Sequence, residues 1–219
     1  CHIDKAREVL YVGAGIGAGP SYIARTYGCH VTSIDLSARM IAWSRLRACE
    51  DRVADRIALQ VADVLNLPFA TNTFDAVICE SVLGFVNEKS RAIASCVRVA
   101  KPGGYVGLNE TLWVIAPTPD LALHIDDFGV SIFPRDFWQA LWDESGLVER
   151  IATFHQIDAR TEIKSRIEWV GWRWALRAWR RLIRLYLTNP GIRQAIKDQF
   201  GSAMDTIPYM GYGLFTGRK

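Results

Sequence analysis

A strand that turns into a helix through glycines at alternate positions constrains this chain more than any other feature. Val9-Leu10-Tyr11-Val12 is apolar and rich in β-branched residues, Gly13, Gly15 and Gly17 follow, and a helix-like segment runs on from Pro20. Glycines carry no side chain, so a ligand can lie directly against the backbone of such a bend. The pattern therefore points to a nucleotide-like cofactor held near the start of the chain. Two spacings fit. Gly13, Gly15 and Ala18 satisfy a G-x-G-x-x-A dinucleotide fingerprint. Gly13, Gly15 and Gly17 suit an amino-acid-bearing nucleoside that has no pyrophosphate.

Strands and helices alternate after the bend. Ser21 to Tyr27 reads as a helix and Val31 to Asp35 as a strand. Ser37 is a good N-cap for a helix through Met40, Ile41, Trp43 and Leu46. Ile57 to Val61 and Phe74 to Cys79 are strands, the second entered through the polar turn Thr71-Asn72-Thr73. A helix over 88–99, a turn at Lys101-Pro102-Gly103-Gly104 and a strand from Tyr105 to Asn109 complete the series. This spacing implies right-handed crossovers and a parallel sheet. Ligands in such sheets bind beyond the carboxyl ends of the strands. The glycine bend, Asp35, Asp63 and Glu80-Ser81 occupy those ends and are expected to converge in one crevice. Asp35 can accept hydrogen bonds from both hydroxyls of a ribose, or simply sit as a charge at a helix start. Asp63 can accept from an adenine amino group or be a solvated loop acid. Glu80 faces a ligand or is a strand-end charge.

Taken in order, Val12-Gly13-Ala14-Gly15-Ile16-Gly17, Ser33-Ile34-Asp35-Leu36-Ser37, Val61-Ala62-Asp63, Phe74 to Ser81 and Lys101-Pro102-Gly103-Gly104 resemble the class I S-adenosylmethionine-dependent methyltransferases. The resemblance covers the first half to two-thirds of the chain. It implies a doubly wound, mostly parallel, seven-stranded Rossmann-like sheet with an antiparallel last strand, formed by residues 1–219 as one domain. It implies S-adenosylmethionine as cofactor, S-adenosylhomocysteine as product and a small-molecule acceptor. By position, Gly13, Ala14 and Gly15 approach the methionine part of the cofactor. Asp35 holds the ribose, Leu36 and Met40 lie beside the adenine, and Asp63 and Val64 read its edge. Glu80 and Ser81 sit below the sulfonium and the methionine moiety. Tyr11 also belongs on the cofactor side, and it is a departure: the family usually has an acid two residues before the first glycine. The resemblance further implies a final hairpin, Leu147 to His155 with Tyr212 to Thr216, the first strand following a helix from Arg135 to Glu144. A nicotinamide-dependent oxidoreductase shares only the first two pieces and is the enzyme alternative. A non-catalytic S-adenosylmethionine-binding protein is the other.

The segment 160–206 between those last strands departs from the family pattern and reads as a helical insertion on the acceptor side. From Ile163 to Leu187, seven basic residues face one acid, a net of +6, so the rest of a chain of net +3 carries −3. On a helical wheel Arg166, Arg173, Arg177, Arg180 and Arg184 share one narrow face, and Trp172, Trp174, Trp179, Leu176, Leu182, Ile183 and Leu185 fill a broad apolar arc. That arc can pack on the domain, line a lid over the acceptor pocket, or lie on an anionic membrane surface. Asn189-Pro190-Gly191 breaks the helix, and a shorter one follows to about Ala203. Glu110, His124 in a loop-like region, and Tyr209 are the acceptor-side candidates for acid–base work, with Asn109 and Tyr212 beside them. The five cysteines include no Cys-x-x-Cys pair, which argues against a zinc site and for buried thiols in a reducing, cytoplasmic setting. No basic groove outside the insertion suggests nucleic acid. The chain opens at Cys1, almost on its first strand, so a preceding segment is expected.

Overall fold

A computed structural model describes residues 3, 7–126, 129–158, 161, 172–193 and 206–219. Its sheet is built around β1 (Glu8–Val12), whose last four residues are all buried. Val9 and Tyr11 face one core, formed with Ile23 and Ala24 of α1 (Ala18–Tyr27) and Ala48 of α2 (Ala38–Glu50). Leu10 and Val12 face a second core with Ile93, Cys96 and Val99 of α3 (Lys89–Val99). A strand covered on both faces is the mark of a doubly wound sheet, and it explains why β1 reads as an unbroken apolar run.

The other strands are β2 (His30–Asp35), β3 (Ile57–Val61), β4 (Phe74–Glu80), β5 (Ala100–Trp113), β6 (Phe133–Pro134), β7 (Val148–Gln156) and β8 (Met210–Arg218). They order as β3-β2-β1-β4-β5-β8-β7, with the two-residue β6 pairing β5. β1 to β5 run parallel, and β8 lies antiparallel between β5 and β7. The expected architecture holds, with β6 as an added eighth strand. Helices α4 (Pro119–Asp126) and α5 (Arg135–Asp143) follow β5 and precede β7.

Two local expectations differ from the structure. The turn Lys101 to Gly104 does not delay β5, which already starts at Ala100. Phe74 pairs Ala100 and Ala76 pairs Tyr105, so the turn is carried as a bulge inside the strand. It is pinned there by Lys101, whose ammonium lies 2.6 Å from Asp75, and by the chain's last residue, which exchanges backbone hydrogen bonds with Gly103 and Gly104. The region of His124, expected as a loop, is α4.

Of the insertion, the structure describes Thr161, residues 172–193 and Thr206; expectations for 162–171 and 194–205 lie outside the described residues. Trp172 to Thr188 form α6, which ends at Asn189 as its Asn-Pro-Gly sequence requires. Among the described residues, no helix is long and apolar enough to cross a membrane. Cys29, Cys79 and Cys96 are buried free thiols, whereas Cys49 is exposed.

The far half of the sheet is anchored by Trp138 and Trp142, one helical turn apart on α5 and each 1% exposed. Their rings meet Phe215 of β8 at centroid distances of 6.4 and 5.8 Å. Trp142→Ala should lower unfolding free energy by about 3–5 kcal/mol, through lost burial and the cavity left behind. Denaturant titration measures it; an unchanged midpoint would remove Trp142 from the core.

Candidate functional site

Four backbone donors of the bend after β1 are satisfied from within the protein. Gly13 and Ala14 N–H groups both donate to the Ile34 carbonyl, at 2.9 and 2.8 Å, and Gly17 N–H donates back to Ala14. Gly15 N–H donates to Asp35 Oδ2 at 2.8 Å. A phosphate-binding bend instead leaves its amides free to point at the anion. Pro20, in the first turn of α1, has no N–H at all. These four amides and Pro20 therefore offer nothing to an anion, whereas the bend still admits close approach by a ligand. Gly13, at φ +85°, is required twice over: its backbone is left-handed, and a Cβ there would run into Val82.

Asp35 is the pivot of the site. Its second oxygen accepts the Ser37 N–H at 2.9 Å, while the Ser37 hydroxyl caps α2 through Met40 N–H. One carboxylate therefore ties the bend after β1 to the start of α2. Each oxygen keeps a further lone pair, enough to accept two ribose hydroxyls. Asp63 follows the same plan: Oδ1 accepts Leu65 N–H at 2.9 Å, capping the short turn Val64–Asn66, and Oδ2 remains for a ligand.

These groups border a cleft of about 840 Å³ at the carboxyl ends of β1 to β4, where the strand order reverses. Gly13, Gly15, Asp35, Leu36, Met40, Asp63, Val64, Glu80 and Ser81 all line it. Val12, Ile34, Ser37, Ala62, Val82, Phe85 and Val86 line it too, although the strand-end reading did not single them out. The apolar run Val82 to Val86 directly after β4 was the available signal. Leu36 and Phe85 are exposed apolar side chains in this wall, suited to covering a flat aromatic base. The set fits an adenosyl group: acceptors for hydroxyls and an amino group between apolar walls.

Tyr11 and Ala14 do not line the cleft; both are buried beneath it. Tyr11 instead donates its phenolic O–H to Glu80 Oε2. Gly19 of α1 lies directly over that phenol, where a Cβ would clash with it. Burial, and then the Glu80 charge, push the Tyr11 hydroxyl far above its usual range, so it stays a donor. Asn109 donates to the other Glu80 oxygen at 3.2 Å. Position 11, where the family usually has an acid, thus holds a phenol that fixes a carboxylate on the adjacent strand.

The acceptor-side candidates are not brought together. Glu110 lies outside the cleft lining, 2% exposed, and accepts N–H groups of Val82 at 3.0 Å and Leu83 at 2.8 Å. It clamps the loop after β4, beginning at Ser81, whose φ of +56° is strained for a residue with a side chain. Side chains alternate along a strand, so when Asn109 reaches Glu80, Glu110 must face the opposite core. Tyr209 sits outside the cleft in the turn Ile207–Tyr209, its carbonyl accepting from Val114 N–H at 2.8 Å. Tyr212 stacks on His155. The His124 side chain lies outside the described atoms. Among the described residues no group of acids, histidines or cysteines could hold a metal.

Burial raises Glu110 to about 7, against the Leu83, Val82 and Gly84 amides and Lys89, which favour its charged form. The folded state thus keeps a proton that the unfolded chain loses near its ordinary value of 4.5. The Glu110 contribution to stability is full below about pH 4.5, falls as pH rises, and is flat above about 7, a loss on the order of 3 kcal/mol. Glu110→Gln should lose that slope, so the stability difference between variant and wild type should itself change with pH across this window. Denaturant midpoints across this window test it, and a pH-independent difference would contradict it.

Comparison with known proteins fits this geometry. Residues 10–108 match the methyltransferase domain family. Phosphoethanolamine N-methyltransferase 1 of Triticum aestivum is 28% identical over 151 residues, 68% of this chain and 30% of that protein. The chain therefore spans under a third of that relative's length. Phosphoethanolamine N-methyltransferase 2 of Haemonchus contortus, in complex with S-adenosyl-L-methionine, superposes with a TM-score of 0.77 at 18% identity, over 97% of this chain and 48% of that one. Geranyl diphosphate C-methyltransferase of Streptomyces coelicolor A3(2), in complex with geranyl diphosphate and S-adenosyl-L-homocysteine, gives 0.66 at 19% identity, over 96% and 70%. These likenesses establish the fold. Residues 10–108 carry a methyltransferase domain, and the findings support a class I S-adenosylmethionine-dependent methyltransferase.

Proposed function

We propose that this chain transfers a methyl group from S-adenosylmethionine to a small-molecule acceptor, releasing S-adenosylhomocysteine. The observation that carries the reading is the cleft at the tips of β1 to β4, where Asp35, Asp63 and Glu80 meet beside a bend whose Gly13, Ala14, Gly15 and Gly17 amides are already bonded within the protein. A pyrophosphate would find those four amides taken, which weighs against the nicotinamide alternative. Asp35 takes the ribose hydroxyls and Asp63 the adenine amino group. Glu80, steadied by Tyr11 and Asn109, faces the cationic amino group of the methionine moiety. Leu36, Met40 and Val64 exclude water from the base. The cofactor's sulfonium supplies an already activated leaving group, so the protein's work is to hold and align the two partners.

For the acceptor, we favour a compact molecule with an apolar or lipid-like portion. Exposed Phe85 and Ile115 support this, as do relatives named for a phosphorylated amine and an isoprenoid diphosphate. A general base is needed only for acceptors that must lose a proton during transfer.

Calorimetric titration with S-adenosylmethionine, S-adenosylhomocysteine and NAD tests the cofactor. Radiolabelled methyl transfer to a panel of amines, hydroxylated lipids and isoprenoid diphosphates tests the reaction. Binding of the two adenosyl compounds and a labelled product are expected; NAD binding instead would favour an oxidoreductase, and binding without product would favour a non-catalytic protein. Asp35→Ala should weaken S-adenosylhomocysteine binding by about 1–3 kcal/mol, and Asp35→Asn by less. Unchanged affinity in Asp35→Ala would remove Asp35 from the site.

A further inference from the structure

The broad apolar arc of α6 does not act as one surface. Leu182, Leu185 and Tyr186, on one flank, are half-buried. Trp172, Leu176, Trp179, Ile183 and Leu187, on the other, are each more than half exposed. At helical spacing these five fall within an arc of roughly 80°, a continuous stripe along a helix about 25 Å long. Two exposed tryptophans in one stripe are a large apolar surface to leave in water. Of the described side chains in this arc, four are exposed and only Leu182 and Leu185 are half-buried.

Arginines border the exposed stripe. Arg177, Arg180 and Arg184 project roughly 100° from its centre and are exposed. α6 holds five arginines and no acidic residue. A second copy of the chain docking through this stripe would bring two arginine rows together with no acid on the helix to offset them. A surface of negative head groups over hydrocarbon complements both features. The apolar stripe enters the acyl boundary, and the arginine stems lie along it with their guanidinium groups at phosphate level. The helix lies on such a surface and does not span it, being too short and too charged.

We infer that α6 docks the protein on an anionic lipid surface, through the stripe from Trp172 to Leu187 and the arginine row beside it. This inference stands on α6 alone and is independent of the methyl acceptor.

Co-sedimentation of the whole chain with vesicles of phosphatidylcholine, with and without phosphatidylglycerol, tests it. Binding is expected only to the mixed vesicles, with a blue shift of tryptophan fluorescence, and salt at about 0.5 M should release the protein. Arg177→Glu with Arg184→Glu should weaken partitioning about tenfold or more, and Trp179→Ser should also weaken it. Both variants should retain S-adenosylhomocysteine affinity, which shows that they fold. Three outcomes would overturn the proposal: protein that stays in the supernatant with mixed vesicles, equal binding to neutral vesicles, or a dimer by light scattering that Trp179→Ser dissolves without any vesicle binding.

Discussion

The two hydrogen bonds that Asp35 accepts from Gly15 and Ser37 are the constraint on which the candidate site depends. They join the glycine bend leaving β1 to the first turn of α2. The Gly13, Ala14 and Gly17 donors are taken by Ile34 and Ala14, so that part of the bend is set from within the protein and not by a ligand. A cleft built this way is pre-organised, which lowers the ordering cost of binding. It offers carboxylate acceptors between apolar walls.

On β4 and β5, neighbouring residues do opposite work because the pleat sends them to opposite faces. Glu80 and Asn109 are paired in register, and the Glu80 carboxylate accepts from both Asn109 and Tyr11. Glu110, one residue on, turns into the other core and clamps Val82 and Leu83. Lys89 makes the charge on Glu110 less costly while its ammonium donates to the Val86 carbonyl at 2.7 Å. The loop from Ser81 to Val86 is thus held from below by a buried acid, and it offers Val82, Phe85 and Val86 to the cleft.

The sheet was legible because its strands are short apolar runs ending in Gly or an acid, and its helices carry good caps such as Ser37. The cleft residues at strand tips were legible for the same reason: topology alone brings Asp35, Asp63 and Glu80 to one edge. What sequence could not settle was facing and reach. Glu110 looks as available as Asn109 until the pairing of Glu80 with Asn109 fixes which one reaches the Glu80 carboxylate. Tyr11 looks like a missing ligand until its phenol is found on Glu80, a contact 69 residues distant in sequence. The Lys-Pro-Gly-Gly turn looks like a break, yet it is absorbed as a bulge because the terminal Lys219 closes over it. Helical periodicity grouped the tryptophans and leucines of α6 correctly but could not tell which flank meets protein and which meets solvent.

The most direct test of the account is a crystal structure of this chain grown with S-adenosylhomocysteine. The account predicts the ribose hydroxyls on Asp35, the adenine between Leu36 and Val64 with its amino group on Asp63, and the bend unchanged with Gly15 N–H still on Asp35. Adenosine bound elsewhere, or a bend that rearranges so that its amides turn to the ligand, would contradict it.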